Sequence, residues 1–220
     1  MLQQLAGGMV VSVEIFVVTL VFSLPLGLLI CFGRMSKNPV IRGIVSAYIS
    51  IMRGTPLMLQ LMVVYFGPYF IFGIRISMGY SLIAVFIAFS INYAAYFAEI
   101  YRGGIESIST GQYEAAKILG YSKAQTFFRI ILPQMKSPIV VLVIYQFMSC
   151  WNEFNLALIM LTKNQIKTLP LGLVNFWTAY QAQWGQVGAA MIMASVPVLV
   201  IYLFFSNQIT DAMSTSGMKN

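Results

Sequence analysis

Five apolar segments run through this chain, and each approaches the length that a helix needs to cross a lipid bilayer. The hydrocarbon core is about 30 Å thick, which corresponds to roughly 20 helical residues. A helix also satisfies its own backbone hydrogen bonds where water is absent. We therefore predict an all-α, polytopic membrane protein whose five transmembrane helices form a single domain over residues 1–220. The predicted spans are residues 9–32, 57–72, 78–101, 139–161 and 186–206.

The composition supports the same class. Charged residues make up 9% of the chain, hydrophobic residues make up 59%, and the mean hydropathy is +0.82. Soluble domains carry about 25% charged residues, so a soluble multidomain protein is excluded. The chain has no His, and its two cysteines fall in separate predicted spans. We therefore expect neither a soft-metal site nor a cofactor in this chain.

The basic residues predict the orientation in the membrane. Ten of the thirteen Lys and Arg residues lie in the 34–56 loop, the 102–138 loop or the C-terminal tail. The opposite side carries Arg75, Lys163 and Lys167. Because cytoplasmic loops are enriched in basic residues, we expect the N-terminus outside and the C-terminus in the cytoplasm. The net charge of +7 then reflects topology, and no nucleic-acid partner is expected.

The 102–138 loop is predicted to form two short helices joined by a hinge. Residues 112–119 contain good helix formers, and Gly120 can adopt a left-handed conformation at the end of that helix. Ser122 is expected to cap the second helix and Pro133 to stop it. Apolar residues recur at helical spacing in the second helix and predict one apolar face. They are Ala124, Phe127, Phe128 and Ile131.

Taken alone, this loop has two interpretations. It could lie on the membrane surface as an amphipathic helix, or it could dock into another protein. Ala115 and Ala116 favour docking, since small side chains let a helix enter a partner's groove. The 34–56 loop shows a similar apolar face, formed by Ile41, Ile44, Val45, Tyr48, Ile49 and Met52, and it is predicted to be interfacial.

Glu114-Ala115-Ala116, Gly120 and Ile131-Leu132-Pro133 together resemble the EAA loop of ABC importer permeases. The resemblance implies that this loop forms coupling helices that dock in a cleft of an ATPase subunit. The residues that it assigns to coupling are Glu114, Ala115, Ala116, Gly120, Ile131 and Pro133. The chain has no phosphate-loop motif, so ATP is expected to bind the partner and the chain is not expected to be an enzyme.

The resemblance also implies the assembly and its location. ABC importers of this kind combine two permease subunits, two ATPase subunits and an extracytoplasmic solute-binding protein. They lie in the bacterial cytoplasmic (inner) membrane. A five-span subunit is small for enclosing a solute path, so a permease homodimer or heterodimer is expected.

Two subfamilies are represented along the chain. Up to about residue 134, the segments 53–57, 92–105 and 111–114 are similar to polar amino acid permeases. From there on, residues 136–138, 151–159, 168–173 and 184–185 and the last span, which contains Pro197, are similar to carbohydrate permeases. We interpret the chain as a mosaic of the two types. Polar amino acids are favoured as substrate, because the first part carries more motifs, and a sugar is the alternative.

Four polar residues in the predicted spans are candidates for the solute pathway, because such residues tend to face a cavity or a partner. Glu153 and Asn152 could hold an ammonium group or sugar hydroxyls beside the flat ring of Trp151, or they could clamp two helices together. Glu99 could line the path or pair with Arg102. Asn92 could line it or form a helix–helix hydrogen bond.

Two other classes of protein stay open at this point. A passive channel or membrane scaffold would also be apolar, but it would not need Gly120 and the flanking amphipathic helices. A membrane-embedded enzyme would need a catalytic His, a Ser/Lys or paired-Asp arrangement or a metal cluster, and the sequence pattern shows none of these.

Overall fold

The computed structural model describes residues 2–77, 79–153, 158, 168, 170–171 and 184–217. Over this part of the chain the regular elements are all helical. The main helices, in chain order, are α1 (Leu2–Arg34), α2 (Pro39–Gly54), α3 (Leu57–Phe72), α4 (Tyr80–Ser107), α5 (Thr110–Ile118), α6 (Lys123–Thr126), α7 (Leu132–Gln134), α8 (Lys136–Trp151) and α9 (Trp184–Gly217). A π-helical turn, Phe127–Ile131, joins α6 to α7.

Three helices are long and apolar enough to cross a membrane by themselves. The segments are Ala6–Arg34, Tyr80–Ser107 and Val187–Asn207. Two further pairs of helices pass the same test when they are taken together, so the described residues contain three to five candidate spans. The first pair is α2 with α3, bent by 111°, and the second is Lys123–Gln134 with α8, bent by 65°.

The predicted spans agree with these helices in position and differ at their ends. The segment 57–72 coincides with α3, but α3 has 16 residues, which is short for a crossing of about 20 residues. α4 continues to Ser107 instead of ending at residue 101. α8 ends at Trp151, ten residues before the predicted end at residue 161, and most of residues 154–161 lie outside the described part. The fifth span is contained in the longer helix α9.

The sharp bend between α2 and α3 follows from its sequence. Pro56 disfavours helical geometry in the residue before it, and Thr55 accordingly is extended, with φ −119° and ψ 148°. α2 was predicted to lie at the interface along one apolar face. Instead Ile49 is buried and Tyr48 packs against the core, while Ile44 is 67% exposed. The C-terminal half of α2 is therefore part of the helix bundle.

The main core forms where α1 and α4 pack closely together. The contact depends on small residues, as helix contacts in membranes commonly do. Ala88, Ala95 and Ala98 of α4 are almost completely buried. A Cβ atom on Gly27 would lie only 2.7 Å from Cβ of Phe97. A larger residue at position 27 would therefore force the two helices apart.

A second apolar cluster joins α8 to α9 and to the N-terminal half of α1. Phe147 stacks on Trp151 with ring centroids 5.4 Å apart, and Phe16 meets Phe147 edge to face. The indole Nε1–H of Trp151 donates to the Ala194 carbonyl at 3.0 Å. Trp151 is only 2% exposed, so its ring packs inside the bundle and is not a flat surface open to a solute.

Candidate functional site

Helix α5 lies outside the apolar bundle and presents several of its side chains to solvent. Glu114 and Ala115 are exposed, whereas Ala116 is 1% exposed and faces the protein. The end of the helix is apolar and uncovered, with Ile118 at 86% and Leu119 at 70% exposure. An exposed helix that carries a small side chain beside two uncovered apolar ones has the composition of a docking surface.

α5 is held against the rest of the protein by two polar contacts. The Tyr113 hydroxyl donates to the Ile105 carbonyl of α4 at 2.9 Å. A tyrosine hydroxyl is protonated and can donate at neutral pH, and burial raises the pKa of Tyr113 further. Gln134 Nε2 donates to Gln112 Oε1 at 2.7 Å, which links the start of α5 to α7. A force on α5 would therefore reach both α4 and the segment that leads into α8.

Gly120 ends this helix in a left-handed conformation, as predicted, with φ +74°. The Gly120 N–H donates to the Lys117 carbonyl at 3.0 Å, and the Tyr121 N–H donates to the Ala116 carbonyl at 2.9 Å. These two bonds satisfy carbonyl groups that the helix end would otherwise leave unpaired. A Cβ at position 120 would meet no atom within 4 Å, so the requirement for glycine arises from the backbone and not from crowding.

Ser122 caps the next helix, as predicted. Its hydroxyl accepts from the Gln125 backbone N–H at 3.2 Å, and Gln125 Oε1 accepts from the Ser122 N–H at 2.8 Å. This reciprocal capping box fixes the start of α6 immediately after the left-handed turn. The path of the chain from Gly120 to Gln125 is thus set by local hydrogen bonds.

The apolar face predicted for the second helix is present, since Ala124, Phe127, Phe128 and Ile131 all line one cavity, but these residues are buried to different extents. Phe127 and Ile131 are buried, but Ala124 and Phe128 are exposed. The π-helical turn Phe127–Ile131 contains more residues per turn than an α-helix, so it shifts the side chains that follow out of phase. The periodicity of an ordinary α-helix therefore predicted the residues of this face but not which of them are buried.

Pro133 was expected to stop the helix, and it does so only in part. The proline has no N–H and its ring crowds the preceding turn, and it lies two residues after the end of the π-helical turn. The chain then continues as α7, turns at Met135 and enters α8. A Cβ on Gly104 would overlap the Met135 sulfur, so the turn at Met135 is packed closely against α4.

The six residues assigned to coupling occupy one continuous segment but face in two directions. Glu114, Ala115, Gly120 and Pro133 are exposed, whereas Ala116 and Ile131 are buried. The first group can contact another protein directly. The buried pair instead joins the segment to the bundle.

A cavity of about 850 Å³ lies between this segment and the C-terminal end of α1. Its lining is mainly apolar and includes Leu28, Phe32, Phe127 and Phe128, together with Lys117 and Lys123. Phe32 meets Phe127 edge to face, with ring centroids 6.0 Å apart. The segment therefore rests on α1 through side chains and leaves an open groove beside that contact.

Glu99 is the centre of a cluster of charges at the same end of the bundle. Glu99 Oε2 lies 2.8 Å from Arg102 Nη2, and this ion pair is one of the two roles predicted for Glu99. Glu99 also lies 3.9 Å from Arg34 Nε and 3.9 Å from Arg53 Nη1. Arg102 additionally donates to Glu106 at 2.6 Å. One carboxylate that is 19% exposed thus holds together α1, α2 and α4.

Replacing Glu99 with glutamine is expected to lower the free energy of unfolding by about 1–3 kcal/mol. Three guanidinium groups would then face a neutral amide, although solvent screening reduces the loss because the cluster is partly exposed. Thermal unfolding in detergent measures the effect. Glu106→Gln is the matched control, since Glu106 is 52% exposed and pairs with Arg102. Equal unfolding temperatures for the two variants would contradict a central role for Glu99.

Asn92 lies at the bend between α2 and α3, where it forms the helix–helix hydrogen bond that was one of its two predicted roles. Its side-chain amide donates to the Met52 carbonyl and to Gln60 Oε1, both at 2.9 Å. Gln60 in turn donates to the Thr55 hydroxyl at 2.8 Å. α4 therefore holds the 111° bend in place through a small buried amide network.

Asn152 and Glu153 do not lie inside a helix, contrary to the prediction. α8 ends at Trp151, and Asn152 forms its C-cap, with its side chain donating to the Met148 carbonyl at 2.9 Å. The Glu153 carbonyl accepts from the Thr168 hydroxyl at 2.8 Å. The two residues thus stand at the end of α8 that is opposite to α5, where the segment 154–157 begins outside the described residues.

Several residues of these clusters were not identified from the sequence. Arg53 was interpreted only as part of a motif, and Arg34 only as a basic loop residue. Gln60 was likewise interpreted only as part of a motif, although a single amide in the otherwise apolar helix α3 indicates a buried polar contact. Ser12, Thr19 and Ser23 likewise form a buried polar stripe along α1, and Gln146 is a further fully buried amide, on α8.

Comparison with known proteins agrees with this arrangement. The sequence pattern of the family described as "Binding-protein-dependent transport system inner membrane component" matches residues 23–212. A putative glutamine transport system permease of Rickettsia conorii is 39% identical over 127 residues, which cover 58% of this chain and 57% of that protein. This chain therefore spans little more than half the length of that relative.

An arginine transport system permease of Bacillus subtilis is similar over a longer stretch. It is 34% identical over 199 residues, which cover 90% of this chain and 82% of that protein. Because so much of the chain is covered, this similarity extends across residue 135, where the resemblance to amino acid permeases was expected to end. The chain is thus similar to an amino acid permease on both sides of the predicted junction.

Two solved structures share the fold. One is an amino acid ABC transporter crystallised with histidines, at 26% identity and a TM-score of 0.69, covering 94% of this chain and 92% of that one. The other is a bacterial alginate ABC transporter, at 18% identity and a TM-score of 0.70, covering 93% of this chain and 79% of that one. With residues 23–212 matched and an exposed helix at one end of a helical bundle, this chain belongs to the family of binding-protein-dependent transport system inner membrane components.

Proposed function

We propose that this chain is the permease subunit of an ATP-driven importer that takes up polar amino acids. The observation that carries the proposal is helix α5, which is exposed on one face and anchored to α4 and α7 on the other. A static channel or scaffold has no need of such a helix, whereas an importer needs a surface through which an ATPase can move the bundle.

The orientation and location belong to the same proposal. The 34–56 and 102–138 loops carry most of the basic residues, so α5 and the Glu99 cluster lie on the cytoplasmic side. The N-terminus is outside, the C-terminus is in the cytoplasm, and the chain lies in a bacterial inner membrane. Residues 1–220 form one transmembrane domain with five spans, near residues 9–32, 57–72, 78–101, 139–161 and 186–206.

The proposed partners are a dimer of ATPase subunits, a second permease subunit and an external solute-binding protein. Closure of the ATPase dimer on ATP would press on α5. The contacts of Tyr113 with α4 and of Gln112 with Gln134 would transmit this movement to the bundle, which would rearrange between two packings. The alginate transporter, which shares the fold, was solved in complex with a periplasmic protein.

Polar amino acids are favoured over sugars as the substrate. The relatives reported above are named as glutamine and arginine permeases, and the similarity to the arginine permease extends into the second part of the chain. A sugar is the alternative substrate, because several segments after residue 135 resemble carbohydrate permeases. The alginate transporter does not favour it, because 18% identity supports the fold alone.

Within this proposal, Asn152 and Glu153 are the candidates for contact with the solute. They stand at the end of α8 opposite to α5, which is the external side in the proposed orientation. Asn92 and Glu99 are assigned a different role, because the amide of Asn92 and the carboxylate of Glu99 are engaged with neighbouring helices. They support the bundle next to the path.

The substrate class is tested by measuring ATPase activity in proteoliposomes that contain this chain, its ATPase and its binding protein. Polar amino acids and sugars are added one at a time. Stimulation by a polar amino acid and by no sugar is the expected result. Stimulation by a sugar alone would show that the substrate is a sugar and not an amino acid. ATPase activity that does not change with any solute would contradict the importer assignment.

A further inference from the structure

A second, smaller pocket adjoins the apolar cavity described above and is lined mainly by charged side chains. It encloses about 310 Å³ and is bordered by Arg34, Met35, Arg42, Arg102 and Glu106. Three elements contribute to it, namely the inner end of α1, the first turn of α2 and the last turns of α4. Its residues belong neither to the exposed face of α5 nor to the proposed solute path.

The charges in this pocket leave guanidinium groups available for an anion. Arg102 is engaged by Glu99 and Glu106 through short bonds, but Arg34 approaches Glu99 only to 3.9 Å. Arg42 makes no ion pair within the described part of the chain. The N–H groups of an arginine match the geometry of phosphate oxygens. The pocket therefore offers guanidinium N–H donors that carboxylates engage only in part.

The surroundings of the pocket indicate where the anion comes from. Arg34 ends an apolar segment long enough to cross the bilayer, which places the pocket at the level of the lipid headgroups. Met35 borders both this pocket and the apolar cavity of about 850 Å³. A basic pocket that adjoins an apolar groove suits a molecule with a phosphate at one end and a hydrocarbon chain at the other.

We propose that Arg34, Arg42 and Arg102 form a binding site for the phosphate of an anionic phospholipid in the cytoplasmic leaflet. The acyl chain lies toward the groove between α1 and the Phe127–Ile131 turn. Bound there, the lipid fills space between the bundle and the segment that carries α5.

The test measures lipid binding to the purified full-length chain by native mass spectrometry, with phosphatidylglycerol as the probe. The Arg42→Gln variant is expected to bind phosphatidylglycerol about fivefold more weakly than the unchanged chain, which corresponds to the loss of one basic residue at a membrane surface. Because Arg42 is exposed and without an ion pair in the described residues, this variant should fold normally.

Three controls distinguish a phospholipid site in this pocket from nonspecific attraction and from binding of a soluble anion. Arg75→Gln removes an exposed arginine from the opposite side of the bundle, and phosphatidylglycerol binding should not change. Phosphatidylcholine, which has a phosphate but no net charge, should bind equally to all variants. Inorganic phosphate at millimolar concentration should not displace the lipid.

Specific results would overturn the proposal. Equal losses in the Arg42 and Arg75 variants would show general attraction of anionic lipid to a basic protein. Full displacement by inorganic phosphate would assign the pocket to a soluble anion. Unchanged lipid binding by Arg42→Gln, with weaker co-purification of the ATPase, would assign this surface to the protein partner.

Discussion

Uptake driven by ATP is expected to fall about tenfold when Gly120 is replaced by valine, with the amount of protein in the membrane unchanged. Gly120 has φ +74°, and a left-handed conformation costs other residues about 1–2 kcal/mol, or roughly a factor of ten in an equilibrium. Valine, which is β-branched, tolerates it poorly. The helix end would therefore refold locally and α5 would lose its position.

Asparagine at the same position is the matched control. It also adds a Cβ, and position 120 has open space for one, but asparagine adopts left-handed conformations much more readily. Uptake by Gly120→Asn should therefore stay close to that of the unchanged protein. If both variants transported normally, the left-handed turn would not matter for coupling; if both failed equally, side-chain size and not backbone conformation would be the cause.

Ala115→Trp is expected to weaken binding of the ATPase subunit about thirtyfold, which corresponds to about 2 kcal/mol at the centre of an interface. Ala115 is exposed on α5, so an indole there would not disturb the fold but would keep the helix out of a cleft. Co-purification of the ATPase with the tagged permease measures the effect, and uptake should fall in parallel.

Ala189→Trp provides the comparison for that experiment. Ala189 is also exposed and lies near the start of the candidate span Val187–Asn207. It is about 70 residues along the chain from α5. Tryptophan is well tolerated at a membrane interface, so this variant should retain its ATPase. An Ala115→Trp variant that bound the ATPase as firmly as Ala189→Trp would exclude α5 as the docking surface.

Local signals in the sequence predicted the features that depend on local physics. Gly120 and Ser122 were identified as a left-handed helix end and a cap, and both are present, because each forms bonds with residues only a few positions away. The position of α3 was likewise predicted from its apolar composition. Such features need no information about distant parts of the chain.

Features that depend on tertiary contacts were not predictable in the same way. The π-helical turn Phe127–Ile131 alters the periodicity of the second helix, so the burial of Phe127 and the exposure of Phe128 could not be predicted from α-helical spacing. The ion pairs of Glu99 with Arg34 and Arg53 join residues more than 40 positions apart, and only folding brings them together. The early end of α8 placed Asn152 and Glu153 outside a helix, although the sequence stays largely apolar beyond them.

The most direct test of the importer assignment is uptake of a labelled polar amino acid into proteoliposomes that contain this chain and its binding protein, with and without the ATPase subunit. The proposal predicts accumulation against the concentration gradient when ATPase and ATP are both present, and no uptake when either is omitted. Equal uptake without the ATPase would show a passive channel and would contradict the proposed coupling through α5.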